Sequence, residues 1–480
     1  MKNKIKNKIK YICYRLLSNF TFGELRKQFD ISKKSAELKL LPEYINYEIN
    51  RANGIQLREQ ITTPEIDILL KFQTLNKIKE IELKNKVKNG KKIRVCFVVT
   101  YISKIAFDSV YKAMLKSDIF EPFIVLYDAQ ENYFKDFDFE WQEHLQAYEI
   151  LKNKGYSVYD GFDENKNFIP LYTFKPDIVF SSDINMDVIQ NHLSNIYLNT
   201  NYLTCYLNYS INTANNYPYH YNNRGVATGW KMFVESREDY TELMKYSKFC
   251  GVNTILTGYP KLDAYAKDIH ECVIPSKIDN GKPIVIIAPH FSIKLEQEHR
   301  NWATFHHYYQ YFIDLVKSNP NINFVFKPHP ELRHRLHWLN IMTMDEFDKY
   351  VEEWNSLPNG LYCYDGDYID LFRKSDLLIQ DSGSFIGEWL PTDKPCLYLI
   401  DYERRWRTYL EGFSILGRKI LNKYYLCHSK ADIEKYFKMI MFDKQDPMKE
   451  ERIKLKDELF INIGCAGQKI VDYLTEIITD

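Results

Sequence analysis

Two runs in this chain, IRVCFVVT (Ile93–Thr100) and PIVIIAPHFS (Pro283–Ser292), are short, rich in β-branched residues and apolar at most positions. A strand with one face in water alternates apolar and polar side chains, so near-continuous runs of this kind belong in parallel sheets covered on both faces. Each run opens the same texture. After the first come a helical segment near Ser109–Leu115, strand-like Pro122–Tyr127, a helix containing Trp141–Leu151, strand-like Tyr156–Asp160 and KPDIVFSSD (Lys175–Asp183). After the second come a helix around Tyr308–Lys317, FVFKPHP (Phe324–Pro330), SDLLIQDSGSFIGEWL (Ser375–Leu390) and CLYLI (Cys396–Ile400). Strands alternating with helices imply right-handed crossovers and parallel pairing. An α/β protein with two such domains is expected, at residues 93–268 and 269–455.

The ends have a different texture. Residues 1–92 read as a charged helical region and linker, and residues 456–480 as a C-terminal helix, Ala466–Ile478, that can return to brace the first domain. Lys2, Lys4, Lys6, Lys8, Lys10 and Arg15 alternate with Ile5, Ile9, Tyr11, Ile12, Leu16 and Leu17, a pattern suited to an anionic membrane surface or to a solvated terminal helix. Ile66, Leu69, Leu70, Phe72, Leu75, Ile78 and Ile81 keep helical spacing, and KNKVKNGKK (Lys84–Lys92) reads as a linker.

Charge excludes some partners. Lys plus Arg and Asp plus Glu are each 64, so no global field draws nucleic acid, and the 37 tyrosines lack the basic stripe that base-stacking platforms need. Nine cysteines are scattered without a CxxC pair, as in proteins that keep their thiols reduced in the cytosol. No run reaches the roughly 18 apolar residues of a spanning helix, and the basic N-terminus is interrupted too often for a signal-peptide core. The expected location is cytoplasmic, peripheral on the inner face of the plasma membrane.

The chain has no GxGxxG, Walker loop, HExxH or GxSxG, which removes support for dinucleotide oxidoreduction, P-loop hydrolysis, zincin and serine-hydrolase chemistry. Asp365-Gly366-Asp367 has carboxylate spacing for a metal but is also an ordinary turn, and His299, His306 and His307 lack partners at ligand spacing; neither a metal nor a cofactor is expected. Polar residues at the carboxyl ends of the second domain's strands carry more information, because open α/β sheets bind ligands there. If DLLIQ is a strand and FIGEWL opens a helix, Asp381, Ser382, Gly383 and Ser384 stand at a helix N-terminus. Unpaired N–H groups and hydroxyls there favour phosphate, Gly383 admits close approach, and Glu388 one turn on can accept ribose hydroxyls. Simple capping by Ser384 is the plainer alternative. In FKPHP two prolines hold His329 in a rigid loop with Lys327 before it; as cations the two would stabilise charge on a departing nucleotide. His290, in APHFS, ends the strand that opens the same domain and can face the same cleft.

Together TGYPKLD (Thr257–Asp263), APHFS (Ala288–Ser292), Thr304-Phe305, FKPHPEL (Phe326–Leu332), GDYIDLF (Gly366–Phe372) and SDLLIQDSGSFIGEWL with the following DKP resemble the CDP-glycerol glycerophosphotransferase family of teichoic-acid and capsule synthesis. The resemblance implies a GT-B architecture: two Rossmann-like domains facing a cleft, the first on the acceptor side and the second holding the nucleotide donor. It also implies that His329, Asp381, Ser382 and Ser384 contact the pyrophosphate or nucleotide without a catalytic metal. Lys327, Gly383, Glu388, Gly258 and Asp263 complete the expected substrate-binding set.

The chain departs from that family in one place. Better-known members carry a Trp-His-Gly segment in the first domain whose histidine is thought to act as base; the corresponding region here is LNYSINTANN (Leu207–Asn216), without histidine. His290, His220 and Asp183 are the candidates for that role. This polar segment continues through Tyr, Asn and Pro residues to Asn223 and suits a hydroxyl-rich acceptor or a plain surface loop. The expected reaction moves glycerol phosphate or a related phosphopolyol from a CDP-linked donor to a hydroxyl of a surface glycan, releasing CMP. A GT-B glycosyltransferase using a nucleotide sugar is the alternative, and a non-catalytic glycan-binding protein is a third reading.

Overall fold

The computed structural model describes residues 61–127, 141–182, 193–215, 222–293, 301–363, 368–400 and 412–480. His220, Asp183, His299, Asp365-Gly366-Asp367 and the basic segment from Lys2 to Leu17 lie outside the described residues.

The first recurring run becomes β1 (Ile93–Val99), which is joined by β2 (Phe120–Leu126), β3 (Val158–Asp160), β4 (Ile178–Ser181), β5 (Leu203–Leu207), β6 (Lys231–Val234) and β7 (Thr254–Leu256). All pair in parallel, in the order β3-β2-β1-β4-β5-β6-β7. Helices α1 (Thr63–Lys88), α2 (Asp108–Leu115), α3 (Trp141–Asn153), α4 (Asn195–Asn201), α5 (Arg224–Thr228) and α6 (Arg237–Tyr246) precede and connect these strands.

The second run becomes β8 (Ile284–Ala288), with β9 (Asn323–Phe326), β10 (Gly360–Tyr362), β11 (Leu377–Gln380), β12 (Cys396–Leu399) and β13 (Tyr425–Cys427). These are again all parallel, in the order β10-β9-β8-β11-β12-β13. Its helices are α7 (Phe305–Ser318), α8 (Leu332–Trp338), α9 (Met344–Ser356), α10 (Ile369–Lys374), α11 (Ser384–Trp389), α12 (Ile415–Leu421) and α13 (Lys430–Met441), followed by α14 (Lys449–Leu459) and α15 (Ala466–Thr479). Two Rossmann-like sheets, the GT-B arrangement, are thus present.

Strand burial follows the sequence logic. Both faces of β8 are covered: Ile284 and Ile286 enter a core with Trp389 and Phe413, while Val285 and Ile287 enter one with Phe312 and Trp354. In both sheets the winding reverses between the founding strand and its later neighbour, at β1/β4 and at β8/β11. Such reversals open a crevice at the carboxyl ends of the two strands.

Two expectations at the ends meet the structure differently. The lysine-rich Lys84–Lys88 is not a linker but the last turn of α1, because Leu83 and Val87 pack on the first sheet's core and hold the helix there. That helix also joins the sheet's connections through polar contacts: Asn76 Nδ2 donates to Thr228 O (3.3 Å), and Trp230 Nε1 donates to Glu80 Oε2 (3.1 Å). At the other end α15 buries Ile470, Val471, Leu474, Ile477 and Ile478 in the core formed by Ile93, Val95, Phe97 and Met114. The last helix therefore braces the first sheet after the chain has left the second.

Candidate functional site

The second sheet's crevice gathers the carboxyl ends of β8, β9 and β11, and backbone bonds lock the three loops together. Lys327 N donates to Ile287 O (2.8 Å) and His329 N to Pro289 O (2.9 Å), so FKPHP rides on the end of β8. His290 N donates to Asp381 Oδ1 at 2.6 Å, which ties β8 to β11. Thr304, in front of α7, gives both its N–H (2.6 Å) and its hydroxyl (2.9 Å) to Asp381 Oδ2.

Asp381 is thereby placed beneath the pocket and not on its surface. It is fully buried, both oxygens are engaged, and burial pushes its carboxyl up to about 6 against the lowering effect of those donors. A buried carboxylate accepting three hydrogen bonds is a scaffold for the loops that carry His290.

The two histidines meet above it. Their ring centroids are 4.8 Å apart, with Phe291 4.5 Å from His329 and Trp302 5.8 Å from His290. Ser292 supplies its backbone N–H (3.3 Å) to His290 Nδ1, and its hydroxyl lies 2.9 Å from the same nitrogen; Glu331 N donates to His329 Nδ1 at 3.1 Å. A ring nitrogen that accepts a hydrogen bond carries no proton, so both imidazoles hold theirs on Nε2. Both side chains remain only partly covered. Burial, then the neighbouring Lys327, lowers His329 to about 4; burial, then His329, holds His290 well below the usual imidazole range. His329 is therefore neutral here, which corrects the expectation of a cation: it presents an N–H donor, and the full charge beside it is Lys327.

DSGS follows β11 as expected, with Gly383 at the N-cap of α11. Ser384 is the first helical residue and makes no capping bond; instead Ser382 Oγ and Ser384 Oγ lie 3.3 Å apart. A Cβ on Gly383 would stand 2.7 Å from the indole of Trp302, so only glycine lets the loop lie this close to that ring. Trp302 stacks on Phe413 at 5.0 Å, and its buried Nε1 has no partner.

Three expected residues occupy a different place. Glu388 is fully buried between the sheets: Tyr368 donates its hydroxyl to Oε2, Lys261 Nζ lies 3.4 Å from Oε1, and Tyr265 donates to the Glu388 carbonyl at 2.5 Å. Lys261 and Lys327 both approach the ring of Tyr368, at 4.6 and 5.4 Å from its centroid. Glu388 thus locks TGYPKLD to the DSGS helix, where a carboxylate aimed at ribose was expected. Asp263 caps α15, accepting from Gly464 N (3.0 Å), Ala466 N (2.8 Å) and Gly467 N (2.8 Å). Gly258 holds φ +86°, and a Cβ there would stand 2.2 Å from Ile461 O. Both serve the joint between the first sheet and the C-terminal helix.

The histidine-free segment also has a defined place. Its Thr213 hydroxyl donates to Gly383 O, Ser414 Oγ donates to Asn212 O (2.9 Å), and Ala214 bridges Phe413. The segment after β5 therefore rests on the DSGS loop. Thr304, Trp302, Lys261, Tyr368 and Thr213 were not assigned roles from sequence. Lys261, Thr304 and Tyr368 stood inside the motifs quoted for the resemblance and Thr213 in the histidine-free segment, whereas nothing in the sequence marked Trp302. Among the described residues, no cluster of three His, Cys, Asp or Glu side chains can hold a metal ion.

Comparison with known proteins agrees with this fold. The profile of the CDP-Glycerol:Poly(glycerophosphate) glycerophosphotransferase family matches residues 103–450. No curated protein matches the chain in sequence. Among solved structures, a histidine-to-asparagine variant of the wall teichoic acid polymerase TagF aligns with TM-score 0.52 and 14% identity, covering 87% of this chain and 98% of that one. The same variant soaked with CDPG aligns with TM-score 0.50 and 15% identity over 87% and 98% of the two chains. A putative UDP-N-acetylglucosamine 2-epimerase from Listeria monocytogenes aligns with TM-score 0.50 and 14% identity, over 80% of this chain and 96% of its own. At these identities the likeness is one of fold.

Proposed function

Because the chain belongs to the CDP-glycerol:poly(glycerophosphate) glycerophosphotransferase family, we propose that it transfers glycerol phosphate, or a related phosphopolyol, from a CDP-linked donor to a hydroxyl of a surface glycan. The observation that carries this reading is the convergence of His290, His329, Lys327 and Ser382 on the carboxyl ends of β8, β9 and β11. The pyrophosphate of the donor lies in that crevice. Lys327 offsets its charge, the Nε2–H groups of His290 and His329 donate to its oxygens, and the hydroxyls of Ser382 and Ser384 add two donors.

An acceptor hydroxyl then attacks the distal phosphorus and releases its proton to solvent water as the new bond forms. Its oxygen forms the new phosphodiester, the bond from that phosphorus to the bridging oxygen breaks, and the electron pair leaves with CMP. Charge spreads over the transferred phosphoryl oxygens in such a step, so preorganised donors accelerate it more than an early proton abstraction would. His329 stays neutral beside Lys327: its Nδ1 accepts the Glu331 N–H, and its Nε2–H is the donor it offers the leaving group.

The acceptor side belongs to the first sheet, and the work is cytoplasmic, on the inner face of the plasma membrane. Among the described residues no helix is long and apolar enough to cross a membrane. The basic, apolar-interleaved start of the chain suits contact with anionic lipid. The test is CMP release from CDP-glycerol in the presence of a hydroxyl acceptor, with phosphorus NMR of the product. A new phosphodiester resonance is expected; an intact CDP-glycerol pool beside a consumed nucleotide sugar would replace this reading with glycosyl transfer.

A further inference from the structure

Three buried polar atoms without hydrogen-bond partners lie at the carboxyl ends of three adjacent strands of the first sheet. Asn208 follows β5, Glu235 follows β6 and Tyr259 lies just beyond β7. Their side chains are 4%, 3% and 1% exposed, and Asn208 Oδ1, Glu235 Oε1 and the Tyr259 hydroxyl are all unpartnered. Buried polar groups in native proteins are nearly always satisfied, so three orphans in one place mark a site for something else. They form one neighbourhood: the Asn208 amide donates toward the Glu235 carboxyl, and Tyr259 is within electrostatic reach of both Glu235 and Glu388. Asp239, which accepts from the Ser236 hydroxyl at 2.7 Å, lies beside Glu235, and burial together with that second carboxyl raises Glu235 well above the usual range.

The chemistry of the three atoms selects the ligand class. Asn208 Oδ1 accepts, and the Tyr259 hydroxyl and the raised Glu235 carboxyl can each donate and accept, while the Asp239 carboxyl beside them supplies no cation for a phosphate. A hydroxyl donates and accepts at once and matches all three. The position adds direction. Tyr259 feels the charge of both Glu235, on the first sheet, and Glu388 on α11, the helix of the donor motif, and Asn208 lies in the segment that lacks the family's histidine.

We propose that Asn208, Glu235 and Tyr259 form the site that receives the hydroxyl-bearing end of an uncharged polyol acceptor and holds it toward the donor. This rests on the transferase reading above. The probe is glycerol, used as the acceptor with CDP-glycerol as donor, and the readouts are CMP release and thermal stabilisation. In the unmodified protein, glycerol should raise the rate of CMP release saturably. Glu235→Gln and Tyr259→Phe, which keep the side-chain shapes, should each raise the half-saturating glycerol concentration about tenfold, the loss of one well-made buried hydrogen bond. Stabilisation by CDP-glycerol should keep its unmodified size in both. Unchanged glycerol saturation in the two folded variants, or no acceleration by glycerol in the unmodified protein, overturns the assignment while leaving the donor site standing. Absence of both CDP-glycerol stabilisation and CMP release removes the transferase reading, and this inference with it. Should Glu235→Gln fail to fold, Tyr259→Phe decides by the same measurement.

Discussion

The two sheets share a winding order and differ in what they present at their open ends. At the carboxyl ends of the second sheet stand a lysine, two imidazole N–H groups and two serine hydroxyls, held from below by Asp381. The corresponding end of the first sheet presents Asn208, Glu235 and Tyr259, and its β1/β4 reversal is lined by the mostly apolar Val98, Ala106, Phe107, Phe180 and Leu207. One topology therefore carries two different sets of polar groups, which we propose serve as an anion site and a hydroxyl site. Strand order decides where ligands can bind, and the residues just past each strand decide which ligands.

The largest expected effect tests the anion side. His329→Gln should lower CMP release by about 10²–10³-fold, the usual consequence of removing one preorganised donor to developing negative charge. The melting temperature should hold, and a loss below about fivefold would show that the second sheet needs no imidazole there.

Next comes the scaffold under that site. Asp381→Asn places an amide N–H₂ against donors that now meet a carboxylate oxygen, so one buried donor loses its partner, at about 1–3 kcal/mol. Urea unfolding reads the stability, and a raised KM for CDP-glycerol should accompany the loss because His290 is held by the same carboxylate. Stability lost with KM unmoved would separate Asp381 from the donor site.

Asp263→Ala sharpens the contrast on the first sheet's side. Losing the cap on α15 should cost about 0.5–2 kcal/mol in the same unfolding experiment, with KM for CDP-glycerol unmoved. A raised KM with normal stability would return Asp263 to a substrate site.

The smallest effect is a pH dependence. His329 titrates at about 4 and its Nδ1 accepts the Glu331 N–H, so it is a neutral donor throughout pH 7.5 to 5.5 and donor affinity should stay level there. Folding does depend on pH. The unfolded imidazole, near 6.5, binds more protons than the depressed folded one, so stability is present above about 6.5 and is lost as pH falls toward 4. Titration calorimetry at several pH values measures the first and chemical unfolding the second; donor affinity that rises as pH falls would mean that His329 binds the anion as a cation.

How much of this was legible in the sequence follows from physical causes. The strand Ile284–Ala288 is apolar at every position, a run whose burial on both faces leaves little choice of structure. The strand Leu203–Leu207 was not read from the sequence, because Thr204, Cys205 and Tyr206 suit a loop as well as a sheet until neighbours on both sides bury them. At the site, His290, His329 and Ser382 could be found because prolines, glycine and strand ends mark them locally. The roles of Glu388 and Asp263 could not, since their partners lie 20 to 204 positions away.

By itself the sequence determined the two-sheet class, the family and the polar loops at the ends of β8, β9 and β11, because apolar runs and turn residues act through near neighbours along the chain. Tertiary structure alone decided that Asp381 lies under the crevice, that Glu388 joins the sheets, that His329 is neutral, and that Asn208, Glu235 and Tyr259 are buried at the ends of adjacent strands. Burial and charge compensation depend on what the rest of the fold brings within a few ångströms, and spacing along the chain does not encode that.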